Sequence, residues 1–246
     1  MNTDIGAEKC LSFISCQMQP AGGASHEAGG PAPKPFVTIS RQSGCGAHVV
    51  AESLAEYLQA HDRDAACPWT VFDRNLVEKV LEHHHLPKQL HKFMPEDRIS
   101  EFADIMDQLF GLHPPSQTLV HKTTETLLHL AELGRVILVG RGANVITSKL
   151  EAAFHVRLIG SFEKRVERLQ HFERLNKAEA VALAREQDRG RARYLKKYFG
   201  KDIDDPLLYH LVINTDLVSC EEAASLIADA VLTRSKKNSR LAAAPD

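Results

Sequence analysis

Two glycines, Gly44 and Gly46, lie in a short turn between an apolar run and a helical pattern, in the stretch VTISRQSGCGAHVV at residues 37–50. A tight turn that opens a helix directs backbone N–H groups outward and forms a cradle for an anion. Glycine allows the backbone shape and the close approach that such a cradle requires. The pattern predicts a phosphate-binding loop, although an ordinary strand–turn–helix connection without a ligand fits the same residues.

The stretch departs from the phosphate-loop motif GxxxxGK[ST] at three positions. Arg41 stands at the first glycine, Ala47 at the lysine and His48 at the serine or threonine. The missing lysine removes a charge from the β- and γ-phosphates, and Arg41 can restore that charge from the other side of the loop. His48 is a poor ligand for Mg²⁺, because this ion prefers oxygen.

Arginines form the second group that could do chemistry. Arg141 follows a buried apolar run and is flanked by glycines, where it can reach a phosphate with two hydrogen bonds. Arg185, Arg189 and Arg193 stand four residues apart, on one face of a predicted helix. Arginines so placed stabilise the charge of a phosphoryl group in transfer. A solvated basic surface, or one that binds RNA, is the alternative interpretation.

The elements that must position these residues alternate between strands and helices. Apolar runs predict strands at residues 36–40, 69–73, 135–142, 153–160 and 211–214. Helical spacing predicts helices at about 47–60, 75–84, 99–110, 116–134, 162–172, 177–199 and 219–232. This alternation predicts an α/β fold with a parallel sheet, in which ligands lie beyond the carboxyl ends of the strands. Ser40–Gly46, Asp73 and Gly140–Gly142 all fall at such ends.

Length and composition favour one soluble domain. The chain has 246 residues, of which 43% are hydrophobic and 25% charged. A net charge of -2 gives no general attraction to nucleic acid or to an anionic membrane. No apolar run approaches the roughly 20 residues of a membrane span. We therefore expect a cytoplasmic protein with neither nucleic acid nor membrane as a partner.

Cysteines and histidines give no strong sign of a metal site. The five cysteines are scattered and form no CxxC pair, which favours reduced thiols over disulfides or zinc. Three consecutive histidine side chains on a helix point in different directions, so they make a poor tetrahedral site. We assign no metal-binding residue to this histidine cluster, which comprises His83, His84, His85 and His91.

Composition also divides the chain. Residues 19–35 are rich in Gly, Ala and Pro and cannot bury enough apolar surface to order the backbone. We expect a disordered extension over residues 1–35, a folded domain over residues 36–235 and a flexible tail over residues 236–246.

Six stretches in register resemble the cytidylate kinase-like proteins, a divergent branch of the nucleoside monophosphate kinases with the P-loop NTPase fold. They are VTISRQSGCGA, VFDRNLVEKV, VILVGRGANVI, VRLIGSFEKRVERL, DRGRARYLKKYFGKD and DPLLYHLVINTDLVSCEEA, and they cover about residues 36–232. The resemblance implies a three-layer fold with a helical monophosphate-binding insertion at about residues 84–115. It also implies an arginine-rich lid at about residues 177–205. The branch tolerates a loop without the lysine, whereas His48 is a further departure.

The resemblance implies ATP and Mg²⁺ as cofactors and a nucleoside monophosphate, CMP or dCMP, as the acceptor. The nucleotide phosphates would be lined by Ser43, Gly44, Cys45 and Gly46, next to Arg41, Ala47 and His48. Because a helix N-terminus lowers the pKa of a thiol, oxidation of Cys45 would block this site.

The same resemblance implies roles for residues outside the loop. Asp73 matches the acid near substrate and metal, and Lys79 falls where the family has an arginine for the substrate phosphate. Arg141 matches the arginine that grips the monophosphate, although Gly142 replaces the aspartate of the family motif. The lid would contribute Arg189 and Arg193 to catalysis, with Asp188 orienting them or the pyrimidine.

The resulting hypothesis is ATP-dependent phosphoryl transfer to a nucleoside monophosphate. The alternative is a nucleotide-binding sensor without catalysis, which the missing lysine, His48 and Gly142 motivate. A third possibility is a basic-helix module that binds RNA or a protein partner, and the overall charge argues against it.

Overall fold

The structure is a computed structural model that describes residues 34–62, 67–73 and 119–242, together with positions 12, 13, 15, 16, 105, 106 and 109. Its strands with described bounds are β1 (Phe36–Arg41), β2 (Thr70–Phe72), β3 (Val136–Val139), β4 (Ala153–Ile159) and β5 (Leu211–Asn214). Its helices with described bounds are α1 (Ala47–His61), α2 (Leu119–Leu133), α3 (Ala143–Ile146), α4 (Phe162–Glu173), α5 (Lys177–Phe199) and α6 (Cys220–Ala242).

The strands form one parallel sheet in the order β2-β3-β1-β4-β5. Ile39 of the central strand lies between Val139 of β3 and Val156 of β4. The chain leaves β1 toward β2 on one side and later returns to β4 on the other, so the carboxyl end of β1 is a switch point where ligands bind in such sheets. The predicted α/β fold with a parallel sheet is confirmed.

Apolar side chains cover both faces of the sheet. On one face, α1 and α6 bury residues such as Leu54 and Ile227 against Val37 and Ile213. On the other face, the core that contains Leu138 of β3 draws on α2 and α3. This arrangement gives three layers, because helices pack on both faces of the sheet.

The N-terminal segment differs from the sequence-based expectation at two places. Phe13 is fully buried and packs edge-to-face on Phe72, with ring centroids 5.7 Å apart. Cys16 forms a disulfide with Cys67, 51 residues away. Disorder is therefore wrong for these two positions, and reduced thiols are wrong for this pair. The local composition that suggested both cannot reveal that a distant segment packs back on the core.

Local signals place the start of α6 correctly, whereas the helix continues to Ala242, past the predicted end at residue 232. The Ser219–Glu222 capping box that starts α6 is present, with Ser219 N–H donating to Glu222 Oε2 at 2.9 Å and Glu222 N–H to Ser219 Oγ at 3.1 Å. A second capping box, Asn176 with Glu179, starts α5 and was not predicted.

Several predicted features lie outside the described residues. These are the helix at 75–84, most of the helix at 99–110, nearly all of the monophosphate-binding insertion, Lys79 and the histidine cluster. Among the helices in the described ranges, none combines the length and apolar content needed to cross a membrane.

Candidate active site

The glycine loop connects β1 to α1 and fits closely among its neighbours. Gly44 has φ 81° and Gly46 has φ 70°, values that residues with a side chain rarely adopt. A Cβ on Gly44 would lie 2.3 Å from the Arg165 carbonyl oxygen, and one on Gly46 would lie 2.6 Å from Cys220 Sγ. Gly46 is also the N-cap of α1, so the first N–H groups of that helix are directed to the loop. Both glycines therefore occupy positions that a residue with a Cβ could not take without strain.

Arg41 brings a positive charge to the carboxyl end of β1. A Cβ on Gly140 would lie 2.0 Å from Arg41 Nη1, so the glycine after β3 leaves room for the guanidinium group. Burial above all, together with the nearby charges of Arg191 and Arg141, lowers the pKa of Arg41 to about 10, while Asp73 opposes this shift. Arg41 remains protonated at neutral pH, and these four side chains interact electrostatically, as the shared sheet edge predicts.

Arg141 occupies a left-handed backbone conformation, with φ 56°. This conformation costs a residue with a side chain about 1–2 kcal/mol, and it recurs at functional sites. Gly142 follows with φ 72°, and a Cβ there would lie 2.9 Å from Phe199 Cε2 and 3.3 Å from Leu195 Cδ1. The close approach of α5 therefore explains why this chain has glycine at the position where the family motif has aspartate.

The lid helix α5 contacts the glycine loop through Ser43. The Ser43 hydroxyl donates to Gln187 Oε1 at 2.7 Å, and Arg191 Nη1 donates to Ser43 Oγ at 2.8 Å. The Ser43 backbone N–H donates to Asp188 Oδ1 at 2.8 Å. The lid and the loop form one polar network, in which Ser43 is 3% exposed.

Two arginines of α4 belong to this network and were not predicted. Arg165 Nη1 donates to the Ser43 carbonyl oxygen at 3.0 Å and to Asp188 Oδ2 at 2.7 Å. Arg168 Nη1 donates to the Gly44 carbonyl oxygen at 3.3 Å, and its Nη2 donates to the Thr215 carbonyl oxygen at 2.6 Å. The sequence signal was their spacing of three on one helix, directly after a strand that ends at the site.

The predicted lid arginines have solvent-exposed side chains on α5. Arg189 and Arg193 are exposed, and Arg189 Nε donates to the Arg185 carbonyl oxygen at 3.2 Å. A cleft of about 430 Å³ is lined by Phe162, Arg185, Asp188 and Arg189. The structure brings Arg191 to the loop instead, and burial lowers its pKa while Asp188 opposes that shift.

The three remaining loop residues that the sequence analysis singled out differ in their exposure to solvent. His48 is exposed and Ala47 is half-buried at the first turn of α1. Cys45 is 1% exposed, and burial raises the pKa of its thiol despite the nearby arginines. The expectation of a lowered Cys45 pKa is wrong, because desolvation of the thiolate outweighs the helix terminus and the positive charges.

One known family is similar to this chain over most of its length. The sequence model of the cytidylate kinase-like family matches residues 36–217, which include the loop, Arg141 and the lid helix. No curated protein matches the chain in sequence.

Solved structures with a similar course of the chain have low sequence identity. The crystal structure of an uncharacterized protein from Eubacterium ventriosum ATCC 27560 is 20% identical, covers 81% of this chain and 99% of its own, and has a TM-score of 0.55. A shikimate kinase from Bacteroides thetaiotaomicron is 12% identical and has a TM-score of 0.39. The match covers 82% of this chain and 96% of the shikimate kinase. A gluconokinase from Sinorhizobium meliloti 1021 is 14% identical and has a TM-score of 0.36. The match covers 86% of this chain and 95% of the gluconokinase. The first of these supports the fold.

Proposed function

Because the chain belongs to the cytidylate kinase-like family, we propose that it transfers a phosphoryl group from ATP to a nucleoside monophosphate, CMP or dCMP. Family membership supports nucleotide-dependent phosphoryl transfer as the reaction class. The observation that carries the proposal is the electrostatic cluster of Arg41, Arg141 and Arg191 beside the glycine loop. Clustered guanidinium groups at a switch point suit a ligand with several negative charges.

The residues present fit ATP and Mg²⁺, although some of them differ from the lysine and the serine or threonine of the usual phosphate loop. Gly44 and Gly46 allow the left-handed turn that a phosphate cradle requires, and Arg41 supplies the charge that the missing lysine would carry. Asp73, at the end of β2, offers the carboxylate oxygen that Mg²⁺ prefers, whereas the exposed imidazole of His48 does not. When bound, Mg²⁺ neutralises charge on the phosphates.

The reaction needs positioning and charge stabilisation more than proton transfer. A phosphate oxygen of the acceptor attacks the γ-phosphorus, and the bond to the oxygen bridging the β- and γ-phosphates breaks. The attacking oxygen is already anionic, so no side-chain base is required. In our proposal Arg141 holds the acceptor phosphate, and Arg189 and Arg193 stabilise the group in transfer. Because α5 already contacts the loop, it would cover the bound phosphates and exclude water.

Product analysis tests this proposal. The purified chain is mixed with ATP, Mg²⁺ and, separately, CMP, dCMP, UMP, AMP or GMP, and the nucleotides are resolved by chromatography. We expect CDP or dCDP to form. Arg141→Ala should lower turnover about 100-fold or more, the size of a lost transition-state donor.

Arg174→Ala is the matched control for this experiment. Arg174 is also an arginine in the left-handed region, with φ 55°, but it is exposed at the end of α4. Its substitution should leave turnover within about twofold of the wild type, because it makes the same Arg→Ala change at a left-handed position away from the site. Near-normal turnover of Arg141→Ala would overturn the assignment of Arg141.

A nucleotide-binding sensor is the second candidate function. Ala47 and His48 in place of lysine and serine or threonine favour it, because both replacements remove groups that act on the γ-phosphate and metal. This candidate predicts that ATP or CMP binds, as measured by calorimetry, while no diphosphate forms with any of the five acceptors.

A further inference from the structure

The lid helix delivers a carboxylate to the glycine loop. Asp188 Oδ1 accepts hydrogen bonds from the Ser43 backbone N–H at 2.8 Å and from Arg191 Nη1 at 2.9 Å. Asp188 Oδ2 accepts from Arg165 Nη1 at 2.7 Å. These are charge-assisted hydrogen bonds, the stronger class in proteins. A negatively charged group of this chain therefore lies on donors of the anion cradle.

The three donors are of the kinds that bind phosphate. One is a backbone N–H of a glycine-rich turn, and two are guanidinium groups. The Ser43 N–H has a single hydrogen, and the Arg165 side chain is only 7% exposed, so neither can easily serve a second anion. Two anions on the same donors would also repel each other. A phosphate and the Asp188 carboxylate therefore compete for this position.

Asp188 can leave the loop without loss of the helix that carries it. The Asn176–Glu179 capping box holds the start of α5, and Ala184 packs in the apolar cluster shared with α4. At the other end, Leu195 lies near Gly142. Asp188 also lines the cleft of about 430 Å³ that Phe162, Arg185 and Arg189 share, which gives an entering anion space next to the carboxylate.

We propose that Asp188 is an internal competitor that the polyphosphate of a nucleoside triphosphate displaces from the glycine loop. The nucleotide gains the Ser43 N–H, Arg165 and Arg191 only after the carboxylate has left them. Asp188 thereby sets the affinity for nucleotide and holds α5 on the loop until a polyphosphate arrives. The inference rests on the phosphate site of the proposed function and adds a regulation of that site.

The test is the affinity of the full chain for inorganic tripolyphosphate, measured by calorimetry. Asp188→Asn keeps the size of the side chain and removes its charge, and we expect about tenfold tighter binding. Glu186→Gln is the matched control, because it makes the same charge change at an exposed position on α5. It should change the affinity less than about twofold. Equal or weaker binding by Asp188→Asn than by Glu186→Gln overturns the inference.

A second variant keeps the test decisive if Asp188→Asn fails to fold, which thermal melting will show. Gln187→Ala removes the hydrogen bond between Gln187 and the Ser43 hydroxyl, retains Asp188, and should tighten tripolyphosphate binding about threefold. Unchanged or weaker binding by this variant overturns the inference.

Assay of product from ATP and CMP separates this inference from the proposed function. Tighter binding by Asp188→Asn without product from the wild type would support the competitor and reject the kinase. Product from the wild type, together with weaker tripolyphosphate binding by Asp188→Asn, would support the kinase and reject the competitor. If neither the wild type nor a folded variant binds tripolyphosphate, the competitor is rejected together with the phosphate site.

Discussion

Substitution of Gly140 by alanine tests whether Arg41 replaces the missing lysine of the loop. Gly140 has φ 88°, and its new Cβ would lie 2.0 Å from Arg41 Nη1. The guanidinium group is the end of a flexible side chain, so it can move away from the methyl group. We expect Gly140→Ala to displace the charge of Arg41 and to leave the fold intact.

The magnitude has two parts. A left-handed conformation costs alanine about 1–2 kcal/mol of free energy of unfolding relative to glycine. Gly200→Ala shares this cost, because Gly200 has φ 67° and a Cβ there meets nothing within 4 Å. The second part is the loss of one charged contact to phosphate, about 1.5–3 kcal/mol, which weakens binding roughly 10- to 150-fold.

Urea unfolding and calorimetry with ATP separate the two parts. Gly140→Ala and Gly200→Ala should lose similar free energy of unfolding, while only Gly140→Ala loses affinity for ATP. Equal ATP affinities in the two variants would refute the role given to Arg41.

Three further outcomes are expected. Gly190 lies inside α5 and a Cβ there meets nothing within 4 Å, so Gly190→Ala should raise the free energy of unfolding in urea by up to about 1 kcal/mol; a decrease would contradict the described helix. Burial lowers the pKa of His155 to about 3 from 6.5, so the unfolded chain binds more protons between these values. Stability should therefore fall as pH drops from about 6.5 toward 3, by up to about 1.4 kcal/mol per pH unit, and His155→Gln should flatten this slope in urea unfolding. Because Cys45 is buried with a raised pKa, peroxide treatment should leave ATP binding unchanged in calorimetry, and loss of binding that Cys45→Ser prevents would contradict this.

The sequence predicted those parts of the site that depend on local order. Gly44 and Gly46 follow a strand and open a helix, and Arg141 follows another strand, so parallel pairing brings all three to one edge of the sheet. Phosphate binding by these three residues could therefore be predicted without knowledge of the strand order. Arg165 was missed because its role depends on a contact with Ser43, which is 122 residues away.

The sequence by itself determined the alternation of strands and helices, the capping box at Ser219 and the glycine loop. It did not determine which arginine of α5 reaches that loop. Successive residues turn by about 100° around a helix, so the packing of Ala184 and Leu195 decides that Arg191 points inward while Arg189 is exposed. The same packing places the Asp188 carboxylate on the loop. Only the tertiary structure could decide these contacts, because they depend on how distant elements pack together.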